Sequence, residues 1–444
     1  MVEEKSILKT VLFRDFSKWD VKQFFMKQIK SSYPITFLSE LLNEETEKKK
    51  LSKFPNEDFG ILGISNEEGM FDAYTEKGKN INQPYKIIKN DFIAYNPYRV
   101  NVGSIGIKKE HLKNEYISNA YVVFSTKENL LADYLFLLMH TEKFNQLIRD
   151  NTTGSVRQTL SFENLGKIAI PVPSIPEQKA IVQKYQDTIS KAEAIEKEAN
   201  FLLNDSHLYF DSLLQIEDIK PSFVSGLNFI HYKNIDLWGI DKNLCRKTIR
   251  NKKYKTVPLE NLCSVGSGGT PSRNHSEYYR DGNIPWIKTT EVIDEIISDT
   301  EEKITQKGLE NSSAKLYEAN SLIIAMYGQG KTRGRTAKLN VRATTNQACA
   351  VLYDINENLV NIDYLWFYFQ NEYERIRELA SGNNQPNLNA GMIKTYPIVL
   401  PPLPVQNEIV EHINQIKAQV KDLRQQAKEL REKAKLEFER SVFE

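Results

Sequence analysis

The chain has 444 residues, 40% of them hydrophobic, and a formal net charge of +1. That length suggests roughly three domains of about 150 residues with real cores, and the lack of any run of about 18 apolar residues argues against a membrane-spanning helix. A charge balance this close to zero neither announces nor excludes a nucleic-acid partner, because the clustering of charge is what counts.

The start, Met1-Val2-Glu3-Glu4-Lys5, is not that of a signal peptide, so the cytoplasm is the expected compartment, with no membrane partner. Cys245, Cys263 and Cys349 are too few and too scattered for a disulfide framework or a cysteine-based zinc site, and are expected to be structural. The six histidines form no metal-ligand spacing and no Ser/His/Asp set is legible. Catalysis by this chain, and a metal or cofactor bound to it, are therefore not expected.

In chain order, Asp91-Phe92-Ile93-Ala94-Tyr95 has strand length and is bounded by turn residues, and a helical stretch follows near Leu130 to Ile148. Between them, Tyr95-Asn96-Pro97-Tyr98 is similar to the Asn-Pro-Pro-Tyr of adenine methyltransferases, with one proline missing and no preceding glycine-rich cofactor turn. Tyr98 and Arg99 read as domain surface or as scaffold, since an aromatic beside a base suits nucleic acid without proving it. Thr152 to Gln158 is a loop whose Arg157 and Gln158 are base-reading residue types, although Gly and Ser there also serve as plain turn residues.

Ile170-Pro171-Val172-Pro173-Ser174-Ile175-Pro176-Glu177-Gln178 then releases the chain into a long helix, with Pro176 in its first turn and Ser174 with Glu177 as a capping box. Its apolar seam runs through Ile181, Tyr185, Ala192, Ile195, Ala199 and Leu202, lapsing at Thr188 and Ser206. Ile219-Lys220-Pro221-Ser222 is expected to break this helix, and residues 216–235 to connect two halves.

The second half repeats the first at a period of about 230 residues, far too long for a solenoid. Gly154 with Leu160 matches Gly382 with Leu388; Asp133-Tyr134-Leu135 matches Asp363-Tyr364-Leu365; and Asn119 matches Asn346, each before an apolar run. Trp19-Asp20 ahead of Ile35–Leu41 matches Trp238–Asp241 ahead of Val257–Leu262. Ser321–Ala325 reads as a strand and Ile362–Leu379 as helical. Between the strand and the helix, Ala325 to Thr332 nearly satisfies the P-loop pattern, but alanine replaces its first glycine and Thr332-Arg333-Gly334-Arg335 starts a crossover helix poorly. The alternative is a basic loop of Lys331, Arg333, Arg335, Lys338 and Arg342, which contacts DNA or is a solvated turn. Ser381 to Asn387 occupies the place equivalent to that of Thr152 to Gln158, with Asn384, Gln385 and Asn387 as adenine-reading types, although its Ser, Gly and Asn also serve as plain turn residues. Val399-Leu400-Pro401-Pro402-Leu403-Pro404-Val405-Gln406 repeats the proline stretch, and Ile409, Ile413, Ile416, Val420, Leu423, Ala427, Leu430 and Ala434 form a heptad seam for which the first long helix is the economical partner.

Taken together with Gly282–Ile287, Tyr95–Arg99, Gly328–Arg335 and Asn384–Leu388, this duplicated order resembles the specificity subunits of type I restriction-modification systems over the whole chain. The resemblance implies an α+β fold: two duplicated mixed α/β target-recognition domains joined by two long helices packed as an antiparallel coiled coil. The corresponding division is 1–170 and 216–398 for the domains, the latter with the connector, and 171–215 and 399–444 for the helices. It further implies that each domain reads one half of a bipartite site in double-stranded DNA, and that the chain docks methyltransferase subunits and, through them, restriction subunits. S-adenosylmethionine, ATP and Mg are expected in those partners, and no cofactor in this chain. The candidate DNA-contacting set is Tyr98, Arg99, Arg157, Gln158, Thr270, Ser272, Arg273, Lys331, Arg333, Arg335, Asn384, Gln385 and Asn387. The first half has no counterpart of Gly266-Ser267-Gly268-Gly269-Thr270-Pro271, so its domain must use another loop. The rival readings are a DNA-modifying enzyme with an unrecognised catalytic site and a coiled-coil adaptor that binds only protein.

Overall fold

In a computed structural model, the protein is described over residues 31–66, 69–98, 104–151, 159–219, 248–251, 253–328, 330–380 and 387–444. Two compact units emerge: residues up to Glu196 together with Gln425–Glu444, and Lys197–Arg424. The division cuts both long helices, Ile175–Leu214 and Leu403–Phe443, rather than falling at their ends. The cause is packing, because each half-helix contributes to the core of a different globule.

In the first unit, Val182 of the first long helix and Phe438, Val442 and Phe443 of the second are buried with Tyr134, Leu135, Leu138 and Phe144. Lys184 pairs with Glu437 and Arg431 with Glu196. In the second unit, Ala199 packs against Ile416 and Val420, and Phe210 and Leu214 share the main core with Ile409 and Ile413. The partners descend in number along one helix as they ascend along the other, so the pairing is antiparallel. The heptad positions Ile409, Ile413, Ile416, Val420, Ala427 and Ala434 are all buried, and the expected lapse at Ser206 is buried with its hydroxyl donating to the Leu203 carbonyl.

Both helices start as the prolines predict. Pro176 and Pro404 each occupy the second helical position, where a missing N–H costs nothing. Glu177 supplies the acidic half of the capping box, accepting from the Ser174 N–H at 2.9 Å and hydroxyl at 2.7 Å. The first helix ends within one residue of the expected 171–215 bound and short of the expected breaker at Pro221. It stops at Leu214 because Gln215 adopts a left-handed φ of 52°, and Ile216–Ile219 then forms a strand antiparallel to Thr248–Asn251. Pro221, the expected breaker, lies outside the described residues, as do Trp19, Trp238 and Cys245.

The duplication is visible in the hydrogen bonding. Ile35–Phe37 pairs antiparallel with Ala169–Pro171, and Lys255–Pro258 with Pro397–Leu400. The Tyr134 hydroxyl donates to the Pro171 carbonyl and that of Tyr364 to Val399. Each expected helical stretch is two short helices, Ala132–Met139 and Glu142–Asn151 in one unit, Ile362–Asn371 and Tyr373–Leu379 in the other. The first unit holds a four-stranded sheet in the order Leu42–Glu44, Val122–Thr126, Ile93–Tyr95, Ile105–Ile107. The second holds a five-stranded sheet in the order Ser264–Ser267, Cys349–Tyr353, Leu322–Ala325, Thr336–Leu339, Ile296–Ile297. Left-handed Asp91 and Asn320 (φ 64° and 67°) turn the chain into corresponding strands. The two units diverge in what is added. The first carries a further five-stranded sheet dominated by the hairpin Asp58–Ser65 and Gly69–Lys77; the second adds the three strands Lys303–Ile304, Ile284–Ile287 and Thr344–Thr345.

Candidate nucleic-acid interface

Strand direction decides which loops meet. In the second unit Ser267, Cys349, Ala325 and Thr336 all lie at one end of the five-stranded sheet, since Ser267 pairs with Ala350, Ala325 with Cys349 and Ile324 with Thr336. That end therefore gathers the loop after Ser267, the turn 346–348 and the loop 326–335. Asn387 joins them, because the adjoining Leu388 N–H donates to the Met326 carbonyl at 3.1 Å. One sheet end thus collects Thr270, Ser272, Arg273, Lys331, Arg333, Arg335 and Asn387.

The glycine-rich loop is fixed by close backbone approach. A side chain on Gly268 would meet the Thr345 carbonyl oxygen at 1.7 Å, and the Gly269 N–H donates to that same oxygen at 2.8 Å. The Trp286 indole N–H reaches the Gly269 carbonyl at 2.9 Å, and the Tyr279 hydroxyl reaches Pro271 at 2.5 Å. Arg273 lies over Tyr279, 4.2 Å from its ring centroid, and donates to Glu302 at 2.7 Å. Burial raises the Tyr279 hydroxyl pKa, opposed by the Arg273 charge. Arg273 is thus a stacked, ion-paired strut of this loop, while Ser272 is exposed. The Thr270 hydroxyl donates to the Gln347 side-chain oxygen at 2.5 Å.

The basic loop is smaller than its sequence cluster. Lys338 lies within the sheet, bonded to Asp363 at 2.6 Å, and Arg342 pairs with Glu318 at 3.0 Å beyond the opposite end. Arg335 pairs with Asp294 at 3.5 Å. The loop is tethered through its carbonyls: Arg377 donates to those of Arg333 and Gly330, at 3.0 and 2.9 Å, and the Tyr373 hydroxyl to that of Lys331 at 2.7 Å. Lys331 is left exposed. Positive φ at Gly328, Gly330 and Gly334 permits the reversals, and the chain re-enters the sheet at Thr336 instead of starting a helix. The P-loop alternative thereby lacks the helix N-terminus that holds phosphate. Tyr373 and Arg377 were not legible as anchors; their spacing of four on a helix was the available signal.

In the first unit the corresponding end is that of Glu44, Val122, Tyr95 and Ile105. Tyr98 is there, 61% exposed, its N–H donating to the Asn96 side chain at 3.0 Å. The Leu160 N–H donates to the Pro97 carbonyl at 3.1 Å, the counterpart of Leu388 on Met326. Arg99, Arg157, Gln158, Asn384 and Gln385 lie outside the described residues. The missing glycine-rich loop has a structural reason: after Glu44 the chain passes to Lys48–Lys49, the edge of the added sheet. Cys263 and Cys349 are buried, and burial pushes the Cys263 thiol up to about 12. Among the described residues no His, Cys, Asp and Glu grouping could hold a metal ion.

The same duplication is matched by a family model, the type I restriction modification DNA specificity domain, at residues 33–204 and again at 251–432. The chain belongs to this family. Among curated relatives, the MjaIX specificity subunit of Methanocaldococcus jannaschii is 21% identical over 69% of this chain and 66% of its own length. The EcoR124I/EcoR124II specificity subunit of Escherichia coli is 26% identical over 58% of this chain and 57% of its own. The match thus spans less than two thirds of either relative. A solved chain from work on complex assembly and conformational transition of the type I R-M system is similar in fold, with a TM-score of 0.57 and 16% identity over 94% of this chain and 98% of that one.

Proposed function

We propose that this protein is the non-catalytic, sequence-specific DNA-binding subunit of a type I restriction-modification complex, each unit reading one half of a two-part target. The observation that carries this is the repeated sheet end. Two units of one plan gather different exposed loops at corresponding places, while the helices and strand pairs that support them stay alike. Arginine and lysine suit guanine edges and phosphates, and asparagine suits adenine, in the major groove. Methyl transfer and cleavage then belong to methyltransferase subunits and to restriction subunits docked through them, with S-adenosylmethionine, ATP and Mg in those partners. Among the described residues no helix is long and apolar enough to cross a membrane.

The test is to co-express the full chain with its partner methyltransferase and map methylated adenines across a genome. A single motif of two defined blocks separated by an unread spacer is expected. Methylation with no such motif would overturn the reading.

A further inference from the structure

Gln347 belongs to no motif singled out in the sequence, yet it occupies the middle of the second unit's loop end. Its turn is anchored on three sides. The Asn346 N–H donates to the Ile287 carbonyl at 2.9 Å, the Met326 N–H to the Ala348 carbonyl at 2.8 Å, and the Ala348 N–H to the Asn346 side chain at 3.1 Å. The glycine-rich loop lies on one side through the Gly269–Thr345 bond, and the basic loop on the other through Met326. From this rigid support the Gln347 side chain is exposed, and among the described residues its one side-chain bond comes from the Thr270 hydroxyl.

An exposed amide held at one oxygen lone pair still offers a second lone pair and two N–H groups. That is the donor and acceptor pair which matches the N6 and N7 edge of adenine. The repeat supplies an internal contrast. Asn119 corresponds to Asn346, so the residue in the place of Gln347 in the first unit is Ala120, exposed and without such an amide. The two copies thus present different chemistry at the same exposed turn tip.

We propose that Gln347 reads an adenine in the half-site of the second unit, with Thr270 as the positioning residue that aims its amide. The inference rests on the DNA-reading function proposed above. The experiment uses the full chain assembled with its methyltransferase, the motif mapped for the unaltered complex, and duplexes carrying every single base-pair change in that motif. The unaltered complex should bind about 5- to 150-fold more weakly when one particular A·T pair is replaced, the discrimination of a good bidentate contact. Gln347→Ala should flatten that preference while leaving those at the other positions; Thr270→Val should reduce it and Thr270→Ser restore it. Gln347→Ala with unchanged discrimination everywhere, or with changes confined to the other half-site, would overturn the inference and leave the broader reading standing. A Gln347→Ala chain that no longer folds, judged by its melting temperature, would show a structural residue and overturn it as well. An unaltered complex with no preferred motif would sink the broader reading, and this inference with it.

Discussion

Gln178 and Gln406 are wholly buried amides with identical tasks in the two units. Gln178 donates to the carbonyls of Asn129 and Pro173 and accepts from the Leu131 N–H; Gln406 donates to those of Leu359 and Pro401 and accepts from the Asn361 N–H. Each locks a long helix to the loop that starts the neighbouring short one. Removing the amide strands the buried carbonyl of Pro173 or Pro401, at about 1 to 3 kcal/mol if left unsatisfied, and frees two part-buried backbone groups to water. Gln406→Ala should therefore open the Asn361 amide to hydrogen exchange while that of Leu131 stays protected, and Gln178→Ala should do the reverse. Glu372 gives a second residue-scale prediction. Burial raises its carboxyl pKa to about 7, against the pull of Arg375 and the Tyr396 hydroxyl, with Asp211 and Tyr368 also close by. A carboxyl raised in the folded state from 4.5 stabilises fully below 4.5, and that stability is lost as pH rises towards about 7. Urea unfolding between pH 4.5 and 7 should show the second unit weakening with pH, and Glu372→Gln should flatten that trend.

At the scale of elements, the most legible feature was the heptad seam, because a repeat of apolar positions survives whatever loops surround it. The strands Ile93–Tyr95 and Leu322–Ala325 were legible for a related reason, lying between turn residues as unbroken apolar runs. What the sequence concealed were non-local choices. His140 and Glu372 each interrupt a helical stretch that local propensity reads as continuous. The basic cluster looked like five loop residues, but strand register places Lys338 inside the sheet, and acids far along the chain pair with Lys338, Arg335 and Arg342. The device that ends the first long helix was not legible, because a left-handed glutamine leaves no glycine to signal it. Since the left-handed conformation costs a residue with a Cβ about 1 to 2 kcal/mol, Gln215→Gly should raise the stability of the second unit by about 1 kcal/mol. A fall in stability would show that the side chain, not the turn, matters there. Within the seam, Ile416→Ala should cost about 2 to 4 kcal/mol, the usual penalty for truncating a buried isoleucine.

At the scale of the whole molecule, each unit owns a main core and closes it with its own strand pair, so the units should be exchangeable one at a time. The structure also chooses the cut points. Ile35–Phe37 and Ala169–Pro171 form a ladder whose next bond joins the Leu38 N–H to the Ile168 carbonyl at 2.9 Å. An exchange bounded by Leu38 and Ile168 keeps both strands of that ladder and the seam of the long helices from one parent, and the Gln178 lock then joins the two parents through the backbone of Asn129 and Leu131. Bounds of Ile35 and Leu165 would instead mix a strand from one protein with its partner from another and mismatch the register that holds the domain to its helix. Replacing residues 38–168 with the corresponding piece of a relative that reads a different target should therefore give a folded chain. Mapped with the same partner methyltransferase, it should show one block of the methylated motif changed, with the second block and the spacer kept. If both blocks changed together in a chain that assembles and melts normally, independent readout by the two units would be wrong.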